Sequence, residues 1–200
     1  MSDQKRTYRM SRRAELEDET RRRITESAVA LHEQVGPAHT SISAIAERAG
    51  VRRSTVYRHF PDEESLVEAC SSHWRAANPP PSLADWSAIA DPAERDLAAL
   101  SDLYAFYRRT EGMYTSLLRD EMLVPNIARR LRDFYDYLDA IRAVLMNGRG
   151  LRGNARRRTH AAIGHALAFP TWRSLTRDQE MTDAEAVHLM TRLIEAARGG

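Results

Sequence analysis

The sequence predicts an all-α protein with a short three-helix head and a longer helical body. Three observations carry this. Apolar residues recur at three- and four-residue spacing, and the longer C-terminal part carries no strand signal. Thr40–Phe60 reads as two short helices around one glycine. Asn78-Pro79-Pro80-Pro81-Ser82 then interrupts helical periodicity and divides head from body.

Length and composition narrow the classes further. Two hundred residues allow one or two domains with a core that needs no covalent staple. The single cysteine, Cys70, excludes an internal disulfide, and no Cys/His set has zinc-finger spacing, so neither metal nor cofactor is expected. Cys70 follows Val67 and Leu66 at helical spacing and reads as a buried helix residue. The basic start, MSDQKRTYRMSRR, is followed by no apolar run, and nowhere do about 18 apolar residues run together. No secretory signal or membrane span is expected, and the protein reads as cytoplasmic. Net charge is +2, but residues 1–60 hold twelve Lys/Arg against eight Asp/Glu, whereas 61–200 hold eighteen against twenty. A basic end on a near-neutral body suits a molecule that offers one face to a polyanion.

In chain order, residues 1–16 lack apolar periodicity and carry Lys5, Arg6, Arg9, Arg12 and Arg13. They read as a basic flexible arm, able to lie along phosphates when DNA is present. The head proper spans 17–77. A first helix is expected from Glu17 to Gln34, with Ile24, Ala28, Leu31 and Val35 on one stripe and Arg21, Arg22 and Arg23 at its cationic end. Ser41 sits where an N-cap belongs, and Ile42, Ile45, Ala46 and Ala49 give the second helix one apolar face. Gly50 stands where a helix turns left-handed to stop, and Val51 supplies an apolar plug. The third helix buries Val56 and Phe60 and shows Arg53, Ser54, Thr55, Tyr57, Arg58 and His59 on its other faces. This is a helix-turn-helix, and its second helix is the one that would enter a major groove. Asp62 caps a fourth helix whose buried side continues with Leu66, Val67 and Cys70.

The body spans 78–200. Helices are expected over Pro92–Arg109, Met113–Met122, Pro125–Met146, Ala155–Leu175 and Thr182–Ala197. Ile127, Leu131, Phe134, Leu138, Ile141 and Leu145 make the stripe of the third of these. Pro170 should kink the fourth. The last opens on a capping box, Thr182 to Glu185, and aligns Ala186, Leu189, Met190, Leu193 and Ala197.

IAERAGV followed by STVYRHFPDEESL resembles the DNA-binding region of the tetracycline-repressor (TetR) family, in detail from about Arg22 to Ala69. The resemblance implies a dimeric bacterial transcription regulator. Its N-terminal three-helix helix-turn-helix domain would bind a double-stranded, palindromic operator. Its C-terminal helical domain would bind a small-molecule effector and dimerise through the last two helices. For phosphates the candidates are Thr40, Ser41, Tyr57 and His59, followed by the first-helix arginines Arg21, Arg22 and Arg23. For bases they are Arg53, Ser54, Thr55 and Arg58, and Arg52 can serve either task. Two positions depart from the family pattern. A small cap residue often stands where Arg52 is, and a phosphate-binding lysine commonly stands where Glu63 is. Candidates for the effector pocket are Tyr107, Met113, Leu117, Phe134, Tyr137, His165, Phe169 and Trp172, with Arg142 and Arg119 as further polar anchors.

Other readings are weaker. Gly148-Arg149-Gly150-Leu151-Arg152-Gly153 matches a dinucleotide fingerprint but follows a helix with no βαβ unit around it. No nucleophile elbow or HExxH is present, so a helical ligand-processing enzyme is a remote alternative. A sequence-tolerant DNA-binding protein is the nearer one.

Overall fold

The computed structural model describes the backbone of residues 2–199 and the side chains of 11–199 apart from positions 125, 126 and 130. Ten α-helices are present among the described residues: α1 (Ser2–Gln34), α2 (Ile42–Ala49), α3 (Arg53–His59), α4 (Glu63–Ala77), α5 (Leu83–Ser87), α6 (Pro92–Asp120), α7 (Pro125–Met146), α8 (Gly153–Leu167), α9 (Phe169–Arg173) and α10 (Asp183–Gly199). There is no strand among the described residues, and no described helix is long and apolar enough to cross a membrane. The chain divides into two units, Met1–Pro79 with Thr115–Asn126, and Pro80–Tyr114 with Ile127–Gly200. The first therefore takes in the end of α6 and the start of α7, which the sequence assigns to the body.

In the first unit, Ile24, Ala28, Ile45, Ala46, Ala49, Val56, Phe60, Leu66 and Cys70 form the core, with Ile42 and Val51 packed at its edge. Val35, expected on the same stripe, is instead exposed. The cysteine is buried as expected, and that burial pushes its thiol up to about 12. Helix α1 begins at Ser2 rather than near Glu17, so residues 2–16, expected as an arm, are helical. No apolar stripe is needed there. Ser11 bonds Glu15 and Arg13 bonds Glu17 one turn apart, which is how a solvated helix is held. The side chains of Lys5, Arg6 and Arg9 lie outside the described residues.

The segment from Thr115 onward has its own role in this unit. Asp120, fully buried, accepts from the Ala38 N–H at 3.0 Å and from Arg119 Nε at 2.7 Å. Arg119 also donates to the Val35 carbonyl at 2.7 Å. Gly36 at φ 88° admits both side chains; a Cβ there would lie 2.0 Å from Arg119 Nη2 and 2.3 Å from an Asp120 carboxylate oxygen. The glycine thus leaves room for a clamp on the loop before α2.

In the second unit, Leu100, Leu103, Tyr104, Tyr107, Leu131, Ile141, Leu145, Ile163, Leu167, Trp172 and Ile194 are all but inaccessible. The α7 stripe is buried throughout, as its sequence predicts. Two expected helices merge into α6. Phe106 and Tyr107 repeat seven residues on as Met113 and Tyr114, all buried, so the apolar register runs through Gly112 unbroken. One expected helix divides. Proline 170 has no N–H to give the Ala166 carbonyl, α8 stops at Leu167, and Ala168 is extended (φ −71°, ψ 128°) before α9. The freed carbonyls are met from α6: the Tyr104 hydroxyl donates to Ala166 O at 2.9 Å and the Tyr107 hydroxyl to Leu167 O at 2.6 Å.

Helix α10 opens on the expected capping box: Glu185 N–H donates to Thr182 Oγ1 at 3.3 Å and Thr182 N–H to Glu185 at 2.8 Å. Asp183 beside it accepts two bonds from Arg108 and one from the Trp172 indole. Its buried face is Ala186, Val187, Met190 and Ile194, leaving Leu189 45% and Leu193 41% exposed. The expected stripe is therefore split between an inner and an outer face.

Candidate nucleic-acid interface

The candidate interface is built from three local devices. Ser41 caps α2, its hydroxyl oxygen accepting from the Ala44 N–H at 3.1 Å, which leaves the hydroxyl proton to give elsewhere. Gly50 ends α2 at φ 65°, ψ 35°, and the Val51 N–H closes back on the Ala46 carbonyl at 2.9 Å. This left-handed stop turns the chain so that α3 leaves at an angle. Val56, fully buried, and Phe60, 2% exposed, then pin α3 to the core.

With that side pinned, the remaining faces of α3 are open. Arg52, Arg53, Ser54, Tyr57 and Arg58 are exposed, while Thr55 and His59 are half-buried. Arg53 Nη2 donates to the Tyr57 hydroxyl at 3.1 Å, with its guanidinium 5.5 Å from that ring's centroid. Because Tyr57 accepts here, its own O–H proton remains available to a phosphate oxygen. Arg52 occupies the N-cap with no side-chain cap bond, so α3 starts on backbone bonds alone, as its side chain predicts. Thr40 is half-buried and donates to the Gly36 carbonyl at 2.8 Å, so its proton is used inside the fold.

Sequence reasoning places Arg21 at the cationic end of α1 but misses its contact with α3. Its Nη1 donates to the His59 carbonyl at 2.6 Å, and its guanidinium lies 4.2 Å from the Phe60 ring centroid. A cation at the carboxyl end of α3 complements the helix dipole and ties α1 to α3. No signal in the sequence marks a contact 38 residues away. Arg22 is spoken for differently, held between Glu19 and Glu26 at 2.7 Å each. His59 has its proton affinity lowered by burial and by Arg58 and Arg21, against Glu17, and its Nε2 is covered with no hydrogen-bond partner. These neighbours bias the imidazole toward its neutral form in the free protein. Glu63 opens α4, exposed, one residue after the Asp62 cap that accepts from Ser65 N–H at 2.7 Å.

The expected effector residues do not form one set. Tyr107, Phe134, Phe169 and Trp172 pack ring against ring with Tyr104, Phe106 and Tyr114; Tyr114 and Phe134 are closest, at 4.4 Å between centroids. Met113 is buried, and Tyr137 is half-buried with its hydroxyl on the Pro81 carbonyl at 2.8 Å. His165 is exposed, 3.4 Å from Thr171 Oγ1, and Leu117 falls in the first unit, as does Arg119. An open depression of about 840 Å³ lies in the second unit, among Arg95, Arg142, Asn147–Leu151, Arg156 and His160. Of the expected polar anchors, only Arg142 lines it.

Comparison with known proteins agrees with this geometry. Residues 24–70 match the family model for bacterial regulatory proteins of the tetR family. An HTH-type transcriptional repressor of Mycobacterium tuberculosis is 30% identical over 170 residues, 81% of this chain and 80% of its own. An HTH-type transcriptional regulator of Mycobacterium bovis matches at the same identity and coverage. Among solved structures, a TetR-like regulator from Rhodococcus sp. RHA1 superposes with a TM-score of 0.68 at 17% identity, over 90% of this chain and 96% of that one. A TetR-family regulator from Mesorhizobium loti gives 0.63 at 20% identity with the same coverage.

Proposed function

The chain belongs to the tetR family of bacterial transcriptional regulators, and from that premise we propose that it is a homodimeric repressor released from a palindromic operator by a small molecule. One observation carries the DNA reading. Helix α3 is braced on its Val56–Phe60 side and presents Arg53, Ser54, Tyr57 and Arg58 to solvent, none of them paired to a carboxylate among the described residues. Arg53 and Arg58 are the base readers, able to hold guanine O6 and N7 with two bonds. Ser41 and Tyr57 are phosphate contacts, each with a hydroxyl proton to give. Thr40 and His59 are weaker candidates than their positions suggest, for the reasons above.

Dimerisation is supported by Leu189 and Leu193, two large apolar side chains left outside on α10, which packs along α8. Reading both halves of a palindrome then requires the two α3 helices of a dimer to meet half-sites about 34–36 Å apart, one DNA turn, or a multiple of it. Effector coupling is supported by α6, one continuous helix. Its middle carries Tyr104 and Tyr107, and its last turn carries Arg119 and Asp120, which grip the Val35–Ala38 loop. A ligand that shifts α6 would shift the loop that sets α2, by about 1–3 kcal/mol in operator affinity if typical.

Enrichment of genomic fragments on the purified protein, followed by fluorescence anisotropy, tests this. Two chains per palindromic duplex are expected, with strong preference over scrambled competitor at physiological salt. No preference for any duplex, in the presence or absence of effector candidates, sinks the repressor reading and leaves the sequence-tolerant binder.

A further inference from the structure

Charge in the second unit is unevenly spent, and the imbalance gathers at the depression bounded by α7, α8 and the Asn147–Leu151 loop. Four arginines and one histidine line it, against one carboxylate, Asp139. Arg149 is accounted for: it is buried, paired with the buried Asp96, and donates to the Leu145 carbonyl at 2.6 Å. Arg95 is not. It is 4% exposed; among the described residues its Nη groups bond only the Ile89 and Asn147 carbonyls, and its Nε is buried without a partner. The carboxylate that acts on it, Asp96, is the one Arg149 already holds, so two buried guanidiniums share one acid and a net positive charge is left in a poorly screened place. Arg156 and His160, one turn apart on α8, are exposed beside it, and no bond of either side chain is found among the described residues. Among the described residues Arg142 has only Asp139, 3.2 Å away and 67% exposed, a pairing that solvent screens heavily.

Gly164 is the second observation. It lies inside α8, where glycine is a poor helix former. A Cβ there would stand 2.9 Å from Arg142 Nη2 and 3.1 Å from Cζ and Nε. The absent side chain seats the Arg142 guanidinium flat against the helix, with Nε covered and unbonded. The sequence thus gives up helix propensity where it holds an arginine in place beside an open, cation-lined space.

We propose that this depression is a binding site for a small organic dianion, a phosphate monoester or a dicarboxylate. Arg142 and Arg156 grip the anionic group by their planar forks, and Arg95 supplies field from beneath. Val144, Met146 and Leu151 in the wall suit a ligand with an apolar part, and about 840 Å³ exceeds what bare phosphate needs. The site shares no residue with the closed aromatic cluster and requires nothing of the DNA reading.

Isothermal titration of the full-length protein tests it, with phenyl phosphate and succinate as probes and sodium chloride at matched ionic strength as blank. Saturable binding of at least one probe is expected, and the tighter probe identifies the anionic group. Arg156→Gln, on the surface, should weaken binding roughly tenfold or more. Arg157→Gln, one residue on and facing elsewhere around α8, should leave it unchanged. Gly164→Ala should raise the melting temperature yet weaken binding several-fold, since the flexible end of Arg142 must move aside. Absence of saturable heat, equal loss in Arg156→Gln and Arg157→Gln, or full affinity in Gly164→Ala each overturns the proposal. So does a result in which Arg156→Gln lowers affinity for scrambled duplex DNA and neither probe binds, which would give these cations to nucleic acid.

Discussion

Tyr57 and Tyr107 are the same side chain put to opposite uses. Tyr57 is 45% exposed and accepts from Arg53, which leaves its proton unspent at the surface. Tyr107 is fully buried, and its proton goes to the Leu167 carbonyl, whose helical donor, the Thr171 N–H, turns to Ala168 instead. Burial also pushes the Tyr107 phenol well above its ordinary titration range, so this bond persists at any working pH. The contrast extends to the regions around them. In the head, hydrogen-bonding capacity is held in reserve on a braced helix, whereas in the body it is consumed mending a broken one. Substitutions in the first place should cost binding, and in the second stability.

The largest expected effect separates the two regions by acid. His32 in the head is pushed down to about 4 by burial, with Asp120 opposing only in part, against about 6.5 for a free imidazole. Between those values the unfolded chain takes up a proton that the folded head refuses. Stability is therefore full above about pH 6.5 and falls as pH drops toward 4, by roughly 3 kcal/mol in all. In the body, Glu111, held down by its bond to Arg177, and Glu185, held down by the Thr182 N–H, titrate below the ordinary carboxylate range. Their contribution is lost only at lower pH. Hydrogen exchange at pH 7 and pH 5 should show α1–α4 amides losing protection first, and His32→Gln should flatten the response. Equal loss in α7 and α10 would erase the distinction.

Next in size is Tyr107→Phe. It leaves a buried carbonyl unpaired at unchanged volume, for about 1–3 kcal/mol of stability in urea denaturation, with operator affinity unaltered well below the transition. The converse is Arg58→Ala, expected to cost about 1–3 kcal/mol at one base position with stability within ~0.5 kcal/mol of the parent. Tyr57→Phe should cost about 0.5–1.5 kcal/mol and leave the salt slope alone, because no charge is removed. If Tyr57→Phe destabilised the fold and Tyr107→Phe weakened binding, the comparison would be reversed.

The same contrast explains what the sequence discloses. Everything that builds the head is local. A cap at Ser41, a left-handed stop at Gly50, a cap at Asp62 and an apolar pair at Val56 and Phe60 each act within five residues, and each is found as read. What escapes is long-range: Arg21 reaching His59, and Asp120 reaching Ala38 across 82 positions. In the body the stripes are legible but the breaks only in part. The gap expected between Arg109 and Met113 is overridden by the continuing register, and the kink expected at Pro170 is a full stop because two tyrosines from α6 make ending the helix tolerable. Aromatic composition points to rings that do assemble, yet composition cannot distinguish rings that line a space from rings that fill it.

The smallest effect is the most diagnostic of where the head meets DNA. Glu63 is exposed at the first position of α4, where a carboxylate favours the positive helix end by about 0.3–1 kcal/mol. Glu63→Lys reverses that charge, so a slight loss of stability is expected. If α4 begins close to the phosphate backbone, the same change removes a repulsion and adds a cation. Operator affinity should then rise a few-fold, and the dependence of log K on log salt should steepen by about one phosphate's worth, ~0.9. Stability and affinity move in opposite directions only if this residue stands on both the helix end and the DNA face. A stability loss with unchanged affinity and salt slope would place Glu63 off the interface and confine the contact surface to α3 and the cap of α2.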